Sequence, residues 1–199
     1  MCLKIKLLFF LLIFPVGALL SQNVDINILK DINLNRNKHL DNIFRTITNT
    51  AAPMSYSVPI LLFAYGLAKK DSLARQNALY IGATVISSEI IATILKYSVT
   101  RPRPFVTYPY LEKVTSGGSP SFPSGHTSDA FALATSVSIA YPKWYVIIPS
   151  YAWAGAVGYS RMDLGVHYPS DVLVGALVGA GSAYLCYKGQ QWLTKKRKR

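Results

Sequence analysis

Residues 172–187 read VLVGALVGAGSAYLCY, an apolar stretch that contains no charged residue. Glycine, alanine and serine are interspersed in it with larger aliphatic and aromatic side chains. Small residues of this kind let helices approach closely inside a bilayer, whereas soluble bundles rely on leucine-rich seams. Four further apolar segments, several of them also rich in small residues, cover residues 51–68, 78–99, 128–141 and 145–159. The pattern predicts an all-α membrane bundle with five spanning helices, or six if the N-terminal segment also spans.

Composition favours a membrane protein over a nucleic-acid binder. The chain has 199 residues, which suffice for one domain of ordinary size. Lysine and arginine exceed aspartate and glutamate by 21 − 9 = 12, yet only 15% of the residues are charged and 51% are apolar. Disordered basic proteins are poor in apolar residues, so the composition disfavours that class. It also disfavours a soluble nucleic-acid-binding protein. The two cysteines, Cys2 and Cys186, lie at opposite ends of the chain and indicate no disulfide framework.

The N-terminus carries the parts of a secretory signal peptide. Two lysines precede an apolar run over residues 7–14, and a small-residue stretch follows Pro15. This pattern predicts that residues 1–21 are a signal peptide, cleaved after Ala18 or Ser21. In the alternative interpretation the segment stays as a first membrane helix, although the run is shorter than the roughly 20 residues that a bilayer requires.

The next segment, residues 22–50, mixes asparagine and aspartate with isoleucine and leucine. Part of it has one apolar helical face, which predicts an amphipathic helix. The residues on that face are Leu40, Ile43, Phe44 and Ile47. Such a helix lies in the membrane interface or packs on the folded core, and the spacing fits both. We expect the helical core to cover residues 51–187 and a basic tail to cover residues 188–199.

Charge asymmetry predicts the side of the membrane that each loop faces. If the N-terminus begins in the cytoplasm and the segments alternate, every inner loop is basic, as the positive-inside rule requires. The basic residues concerned are Lys69, Lys70, Arg75, Lys143, Lys188 and the run 195–199. The shorter segments alone would also fit buried helices of a soluble protein, so this asymmetry decides for the membrane. It assigns the stretches 22–50, 96–127 and 160–171 to the outer side of the inner membrane.

The outer stretch 96–104 reads KYSVTRPRP and gathers three basic residues where a predicted helix stops at proline. Basic side chains on the outer side run against the positive-inside trend. Snorkelling of Lys96, Arg101 and Arg103 to the interface is one interpretation. The other interpretation is a binding site for an anion, which explains why these basic residues lie on the outer side.

Residues 119–127 read SPSFPSGHT and open the next apolar helix. Ser124 and Gly125 precede that helix, where free backbone N–H groups point along the positive end of the helix dipole. Such an end is suited to binding an anion. Taken alone, the stretch would equally fit simple capping by Ser124, with His126 on the surface.

Residues 160–171 read SRMDLGVHYPSD and stand just before the last apolar segment. Pro169 suits the first turn of a helix, so His167 and Asp171 are expected on the same side of its N-terminal end. A carboxylate there can accept the Nδ1 proton of the imidazole and leave Nε2 free to attack. A polar helix start, with Asp171 only complementing the dipole, would leave Arg161 and His167 unexplained.

Together the three stretches resemble the type 2 phosphatidic acid phosphatase superfamily, whose signatures are Lys-x6-Arg-Pro, Pro-Ser-Gly-His and Ser-Arg-x5-His-x3-Asp. All three occur without a substitution and in the expected order, over residues 96–104, 123–126 and 160–171. The resemblance implies a membrane phosphatase that hydrolyses a lipid phosphate monoester or diphosphate through a phosphohistidine intermediate. Phosphatidic acid, phosphatidylglycerol phosphate, undecaprenyl diphosphate and lipid A all fit it as substrates.

The resemblance also implies a role for each matched residue. His167 is the expected nucleophile, Asp171 orients it, and His126 protonates the leaving alcohol and later activates water. The expected phosphate-binding residues are Lys96, Arg103, Ser124, Gly125 and Arg161. Cationic and backbone donors stabilise a transferring phosphoryl group, so the site is expected to need no metal and no other cofactor. Arg101 lies outside the family pattern, and we interpret it as a headgroup contact.

Related classes share the same constellation. Vanadium-dependent haloperoxidases resemble it but are larger proteins with additional helices. A lipid-binding protein without activity would be favoured by loss of His167, His126 or Arg161, and all three are present. Secreted soluble acid phosphatases have the same site and a signal peptide, and such an enzyme is the alternative function. The apolar segments and the charge asymmetry favour the membrane enzyme over it.

Overall fold

The computed structural model describes residues 24–197, and no strand occurs within this range. The predicted all-α class is therefore confirmed for this part of the chain. The prediction of a signal peptide or first membrane helix over residues 1–21 falls outside the described range. The helices are α1 (24–34), α2 (Asp41–Asn49), α3 (Ala51–Ala68), α4 (Ser72–Val99), α5 (Pro104–Thr107), α6 (Gly125–Ala140), α7 (Trp144–Asp163) and α8 (Pro169–Arg197).

Helix α6 forms the centre of the bundle and packs against α3, α4, α7 and α8. Its buried residues are mostly alanine, serine and threonine. Gly179 of α8 faces it so closely that an added Cβ would lie 2.7 Å from the backbone nitrogen of Ala132. The two helix backbones are thus nearly in contact, which is the packing that the small residues of 172–187 predict.

The outer surface of the bundle is aliphatic. More than half of the surface of each of these side chains is exposed: Ile60, Leu61, Leu79, Ile94, Leu173 and Leu177. Three helical stretches are long and apolar enough to cross a membrane, namely Lys38–Ala68, Ser72–Thr107 and Pro169–Leu193. Helix α6 has 16 residues, fewer than a full crossing requires. The predicted number of spanning helices, five or six, therefore stays a prediction.

The predicted amphipathic segment forms two helices that pack on the core. In α2, the ring of Phe44 lies 5.4 Å from that of Tyr159 in α7, measured between centroids. In α1, Leu29 is completely buried and belongs to a cluster with Leu111 and Tyr168. On the face predicted from the spacing, Phe44 and Ile47 pack on the core while Leu40 and Ile43 are exposed, so the interfacial location of this face stays a prediction.

A tight turn after α7 redirects the chain toward the start of α8. Gly165 has a φ of +73°, and an added Cβ there would lie 2.9 Å from Nδ2 of Asn33. Glycine is therefore required for conformation and for space. The Asn33 amide, in α1, donates to the backbone carbonyls of Glu112 at 3.0 Å and Asp163 at 2.9 Å. The turn that carries His167 is thus held from α1.

Candidate active site

A cavity of about 350 Å³ lies where the C-terminal end of α4 meets the N-terminal ends of α6 and α8. Six of the eight residues predicted from the sequence line it: Lys96, Arg103, Gly125, His126, Arg161 and His167. The other two, Ser124 and Asp171, lie behind that lining. The structure thus brings together residues from three separated stretches of sequence.

Two of the three cationic side chains are oriented by loop carbonyls. Lys96, in the last turn of α4, donates from Nζ to the carbonyls of Pro120 at 3.0 Å and Pro123 at 3.1 Å. Arg103 donates from Nε to the carbonyl of Ser119 at 2.8 Å and from NH1 to that of Val166 at 2.9 Å. Because none of these partners is charged, the positive charge of both side chains remains available to an anion in the cavity.

Arg161 is held differently. It is 2% exposed, and its NH1 donates to Oγ1 of Thr48 at 3.0 Å while NH2 donates to the carbonyl of Ser116 at 3.3 Å. Its buried Nε has no hydrogen-bond partner within residues 24–197. An unpaired buried donor is costly, and a phosphate oxygen would satisfy it.

His167 and Asp171 form the pair that the i, i+4 spacing predicts. Nδ1 of His167 lies 3.3 Å from Oδ2 of Asp171, and Nε2 lies 3.3 Å from NH1 of Arg103. Since a guanidinium only donates, Nε2 must be the acceptor, and Nδ1 carries the proton toward the carboxylate. Burial lowers the pKa of His167 to about 3, although its hydrogen bond to Asp171 opposes the shift. The imidazole is therefore neutral at pH 7, with its lone pair on Nε2.

His126 lies in the first turn of α6 and also lines the cavity. Burial, reinforced by the positive charges of Arg161, Arg103 and Lys96, lowers its pKa to about 4. Ser124 precedes it as the N-cap residue, but its hydroxyl makes no cap bond and lies 2.8 Å from Oγ1 of Thr127. Gly125, and not the Ser124 side chain, thus faces the cavity at this helix end.

The geometry agrees with a comparison of the sequence with known families. Residues 77–195, more than half of the chain, match the model of the PAP2 superfamily. The chain belongs to the PAP2 superfamily. This confirms the resemblance to type 2 phosphatidic acid phosphatases that the three motifs indicate. Helices α1, α2 and α3 precede the region that matches the family model.

Two PAP2 relatives are similar to this chain in sequence. The undecaprenyl-diphosphatase BcrC of Bacillus subtilis is 31% identical over 144 residues, which are 72% of this chain and 71% of that protein. A lipid A 1-phosphatase of Rhizobium johnstonii is 35% identical over 138 residues, which are 61% of this chain and 55% of that protein. The match with the second relative thus spans about half of its length.

Two solved PAP2 structures share the fold. The crystal structure of Aquifex aeolicus LpxE has a TM-score of 0.74 and 25% identity, over 83% of this chain and 95% of that one. A transmembrane phosphatidylglycerolphosphate phosphatase of Bacillus subtilis has a TM-score of 0.73 and 24% identity, over 94% and 95% of the two chains. The latter likeness concerns the fold alone.

The similarity to membrane lipid phosphatases settles the choice that the sequence left open between two kinds of phosphatase. The chain is a phosphoric ester hydrolase of a membrane family and not a secreted soluble acid phosphatase. The aliphatic outer surface of the bundle agrees with a location in the membrane, because a soluble enzyme rarely exposes so large an apolar area. Within residues 24–197, no three His, Cys, Asp or Glu side chains are grouped so as to hold a metal ion.

Sequence reasoning missed two carboxylates that line the cavity, Glu89 and Asp129. Glu89 lies two helical turns before Lys96 in α4, and Asp129 lies one turn after His126 in α6. Both interrupt apolar segments, where an ionisable side chain is costly and marks a functional site. That signal was available in the sequence and would have identified both residues.

Arg101, which we interpret from the sequence as a headgroup contact, is bound by carboxylates of the protein, and a headgroup contact stays a prediction. Its NH1 donates to Oδ1 of Asp171 and its NH2 to Oδ2 of Asp25, each at 2.7 Å. The guanidinium also lies 3.8 Å from the ring centroid of Tyr168. The Arg101 guanidinium is therefore held by protein groups beside His167 and Asp171. The sequence did not signal this, because Asp25 is 76 residues away.

Proposed function

We propose that His167 is the nucleophile with which this membrane phosphatase removes a phosphoryl group from a lipid. The observation that carries the proposal is the neutral imidazole of His167, which lines the cavity together with Arg103 and Arg161 and has its Nε2 3.3 Å from NH1 of Arg103. A neutral ring with its Nδ1 proton on a carboxylate is the activated form that nucleophilic catalysis requires. Asp171 then stabilises the positive charge that develops on the ring.

In the first step, the Nε2 lone pair of His167 forms a bond to phosphorus while the bond from phosphorus to the lipid oxygen breaks. The electron pair of that bond remains on the leaving oxygen, which takes a proton from His126. His126 is protonated in this complex because the negative charge of the bound phosphate offsets the neighbouring cations. Lys96, Arg103 and Arg161 bind the non-bridging oxygens, with the backbone N–H of Gly125. These donors stabilise the negative charge spread over the transferring group.

In the second step, water attacks the phosphohistidine. His126, now neutral, accepts the proton of the attacking water, and the bond from phosphorus to Nε2 breaks with its electron pair returning to His167. Inorganic phosphate leaves, and both histidines regain their starting states. His126 thus acts as an acid in the first step and as a base in the second, while His167 is first the nucleophile and then the leaving group.

An apolar groove of about 550 Å³ between α3 and α4 supports a lipid substrate. It is lined by Tyr56, Phe63 and Ile86, among others. The hydroxyl of Tyr56 donates to Glu89, which lines the catalytic cavity, so the groove and the cavity meet at this hydrogen bond. We place the lipid chain in the groove and the phosphate among the cations.

The relatives suggest the substrates to test first. They include an undecaprenyl-diphosphatase and a lipid A 1-phosphatase. We propose a substrate of these classes, or a glycerolipid phosphate such as phosphatidic acid or phosphatidylglycerol phosphate. A panel of the four lipids, assayed with purified protein in detergent by phosphate release, identifies the preferred one.

The same assay tests the class of mechanism. We expect phosphate release from at least one of the four lipids, inhibition by vanadate, and an unchanged rate after treatment with EDTA. Vanadate should inhibit because it adopts the five-coordinate geometry of a phosphoryl group in transfer. EDTA should have no effect because lysine and arginine supply the positive charge. If EDTA abolished the rate and a divalent cation restored it, the proposed binding of phosphate by Lys96, Arg103 and Arg161 without a metal would be contradicted.

We also propose that the cavity faces the outer side of the inner membrane. The basic inner loops predicted from the sequence support this orientation. Single cysteines at Ser116, which is exposed at the cavity, and at Ser72, at the opposite end of α4, distinguish the two faces. In a chain without Cys2 and Cys186, an impermeant thiol reagent should label the cysteine at 116 in intact cells and spare the one at 72.

Permeabilised cells provide the control for this labelling, since both positions should then react. Labelling at 72 without labelling at 116 in intact cells would reverse the proposed orientation.

A further inference from the structure

The first described helix reaches the catalytic pair from outside the region that matches the family model. Asp25 of α1 is 5% exposed. Its Oδ1 accepts the backbone N–H of Ser170 at 2.8 Å, and its Oδ2 accepts from NH2 of Arg101 at 2.7 Å and from the hydroxyl of Ser170. A buried carboxylate with three donors at the N-terminus of α8 is fixed in place.

Arg101 connects this carboxylate to the one that holds the nucleophile. Its NH1 donates to Oδ1 of Asp171, while Oδ2 of Asp171 lies beside Nδ1 of His167 and accepts the N–H of Tyr168 at 3.0 Å. The chain of contacts therefore runs from Asp25 through Arg101 and Asp171 to His167. Its first member, Asp25, is 142 residues from its last, His167, in sequence.

The position of Arg101 between two carboxylates has a geometric consequence. The orientation of Asp171 depends on donors at both of its oxygens, and Arg101 supplies the charged donor at Oδ1. Arg101 itself is oriented by Asp25 on one side and by the ring of Tyr168 on its face. If Asp25 loses its charge, the guanidinium keeps Asp171 as its one carboxylate partner, beside the hydroxyl of Ser170, which accepts from NH1 at 2.7 Å. A rotation of the guanidinium would then shift the donor at Oδ1 of Asp171.

The same position has an electrostatic consequence. A lone Arg101 would neutralise Asp171 and weaken the support that the carboxylate gives to a positive imidazole ring. Asp25 balances Arg101, so Asp171 keeps its negative charge for His167. At metal sites, removal of a hydrogen-bond partner one shell beyond the ligands changes metal affinity or activity by about 10–100-fold, and we expect an effect of that order here.

We infer that Asp25 is a positioning residue for the phosphatase reaction, which acts on His167 through Arg101 and Asp171. The inference rests on the proposed role of His167. It also gives the N-terminal segment a function, because α1 then completes the active site and does not merely cover it. Asp25 stays in the mature chain after cleavage at either predicted site.

The test is a double-mutant cycle on purified full-length protein with a nitrophenyl phosphate. Asp25→Asn should lower kcat on the order of 10-fold or more. KM and the affinity for vanadate should change little, because Lys96, Arg103 and Arg161 still bind the phosphate. Asp31→Asn on the same helix, at an exposed position, is the matched control and should be silent. In a chain that already carries Asp171→Asn, the Asp25→Asn change should cause no further loss.

Asp25→Glu keeps the charge and should retain more activity than Asp25→Asn, and it replaces the latter in the cycle if the amide variant folds poorly. Unchanged kcat in Asp25→Asn, or a loss of equal size with and without Asp171→Asn, would overturn the inference. Failure of the underlying function is distinct, since Asp171→Asn alone would then leave kcat unchanged.

Discussion

His167→Ala should abolish hydrolysis of every phosphate ester, whatever its leaving group. The variant has no nucleophile, and loss of a nucleophile lowers kcat on the order of 10⁶-fold in enzymes where it acts with a base. Vanadate or phosphate should still bind, because Lys96, Arg103 and Arg161 are unchanged. His39→Ala is the matched control: His39 is exposed, and its removal should not alter the rate.

The His126→Ala variant should depend on the leaving group. In the free protein His126 is neutral at pH 7, because burial and three nearby cations hold its pKa at about 4. A bound phosphate dianion offsets those cations and favours the protonated acid. With an alkyl phosphate the variant should lose about 10²–10⁴-fold in the formation of the intermediate. With a nitrophenyl phosphate the loss in that step should be small, since nitrophenolate leaves without a proton.

The two histidine variants together decide the assignment of roles. The formation of the intermediate is read from the burst of nitrophenolate in a rapid-mixing experiment, separately from steady-state turnover. Substantial turnover by His167→Ala contradicts its role as nucleophile. An equal loss of the burst rate and of alkyl phosphate hydrolysis in His126→Ala contradicts its role as acid.

The second large effect concerns the packing of α8 on α6. Gly179→Ala should lower stability, because the new Cβ would overlap the carbonyl oxygen of Ser128 and lie 2.7 Å from the nitrogen of Ala132. Backbone atoms cannot move aside as a side chain can, so α8 must shift as a whole. Overpacking of this kind costs about 1–3 kcal/mol, which exceeds the gain of up to about 1 kcal/mol in helix propensity.

Gly181→Ala is the control for this substitution, since an added Cβ at Gly181 meets nothing within 4 Å. It lies in the same helix two residues further on and should be neutral or slightly stabilising. Thermal unfolding in detergent, followed by circular dichroism, measures both variants. Because the start of α8 carries Asp171, Gly179→Ala should also lose activity at temperatures where it remains folded. Equal midpoints for the two variants would contradict the close packing.

Local signals account for the parts of the fold that the sequence predicts well. Helix α3 has the same bounds as the apolar segment 51–68, because hydropathy changes sharply at both of its ends. The start of α8 at Pro169 follows from the fixed φ of proline, which suits a first helical turn. The three motif stretches adjoin helix ends that lie on the same side of the bundle. They therefore meet at one cavity.

Contacts between distant parts of the chain account for what was not predicted. Asp25 and Ser170 are 145 residues apart, and nothing near either residue indicates the other. Thr48 likewise orients Arg161 from 113 residues away. Such pairings depend on how the helices pack, and periodicity carries no information about that.

The covalent intermediate is the central element of the proposed function, and it can be trapped. The His126→Ala variant is suited to the purpose, since loss of the base should slow the attack of water on the phosphoenzyme. The variant is mixed with ³²P-labelled nitrophenyl phosphate and quenched in alkali, in which the bond between phosphorus and an imidazole nitrogen survives. We expect the label on the peptide that contains His167, and none in a chain that also carries His167→Ala. Label on another residue, or turnover without any bound label, would contradict a phosphohistidine mechanism.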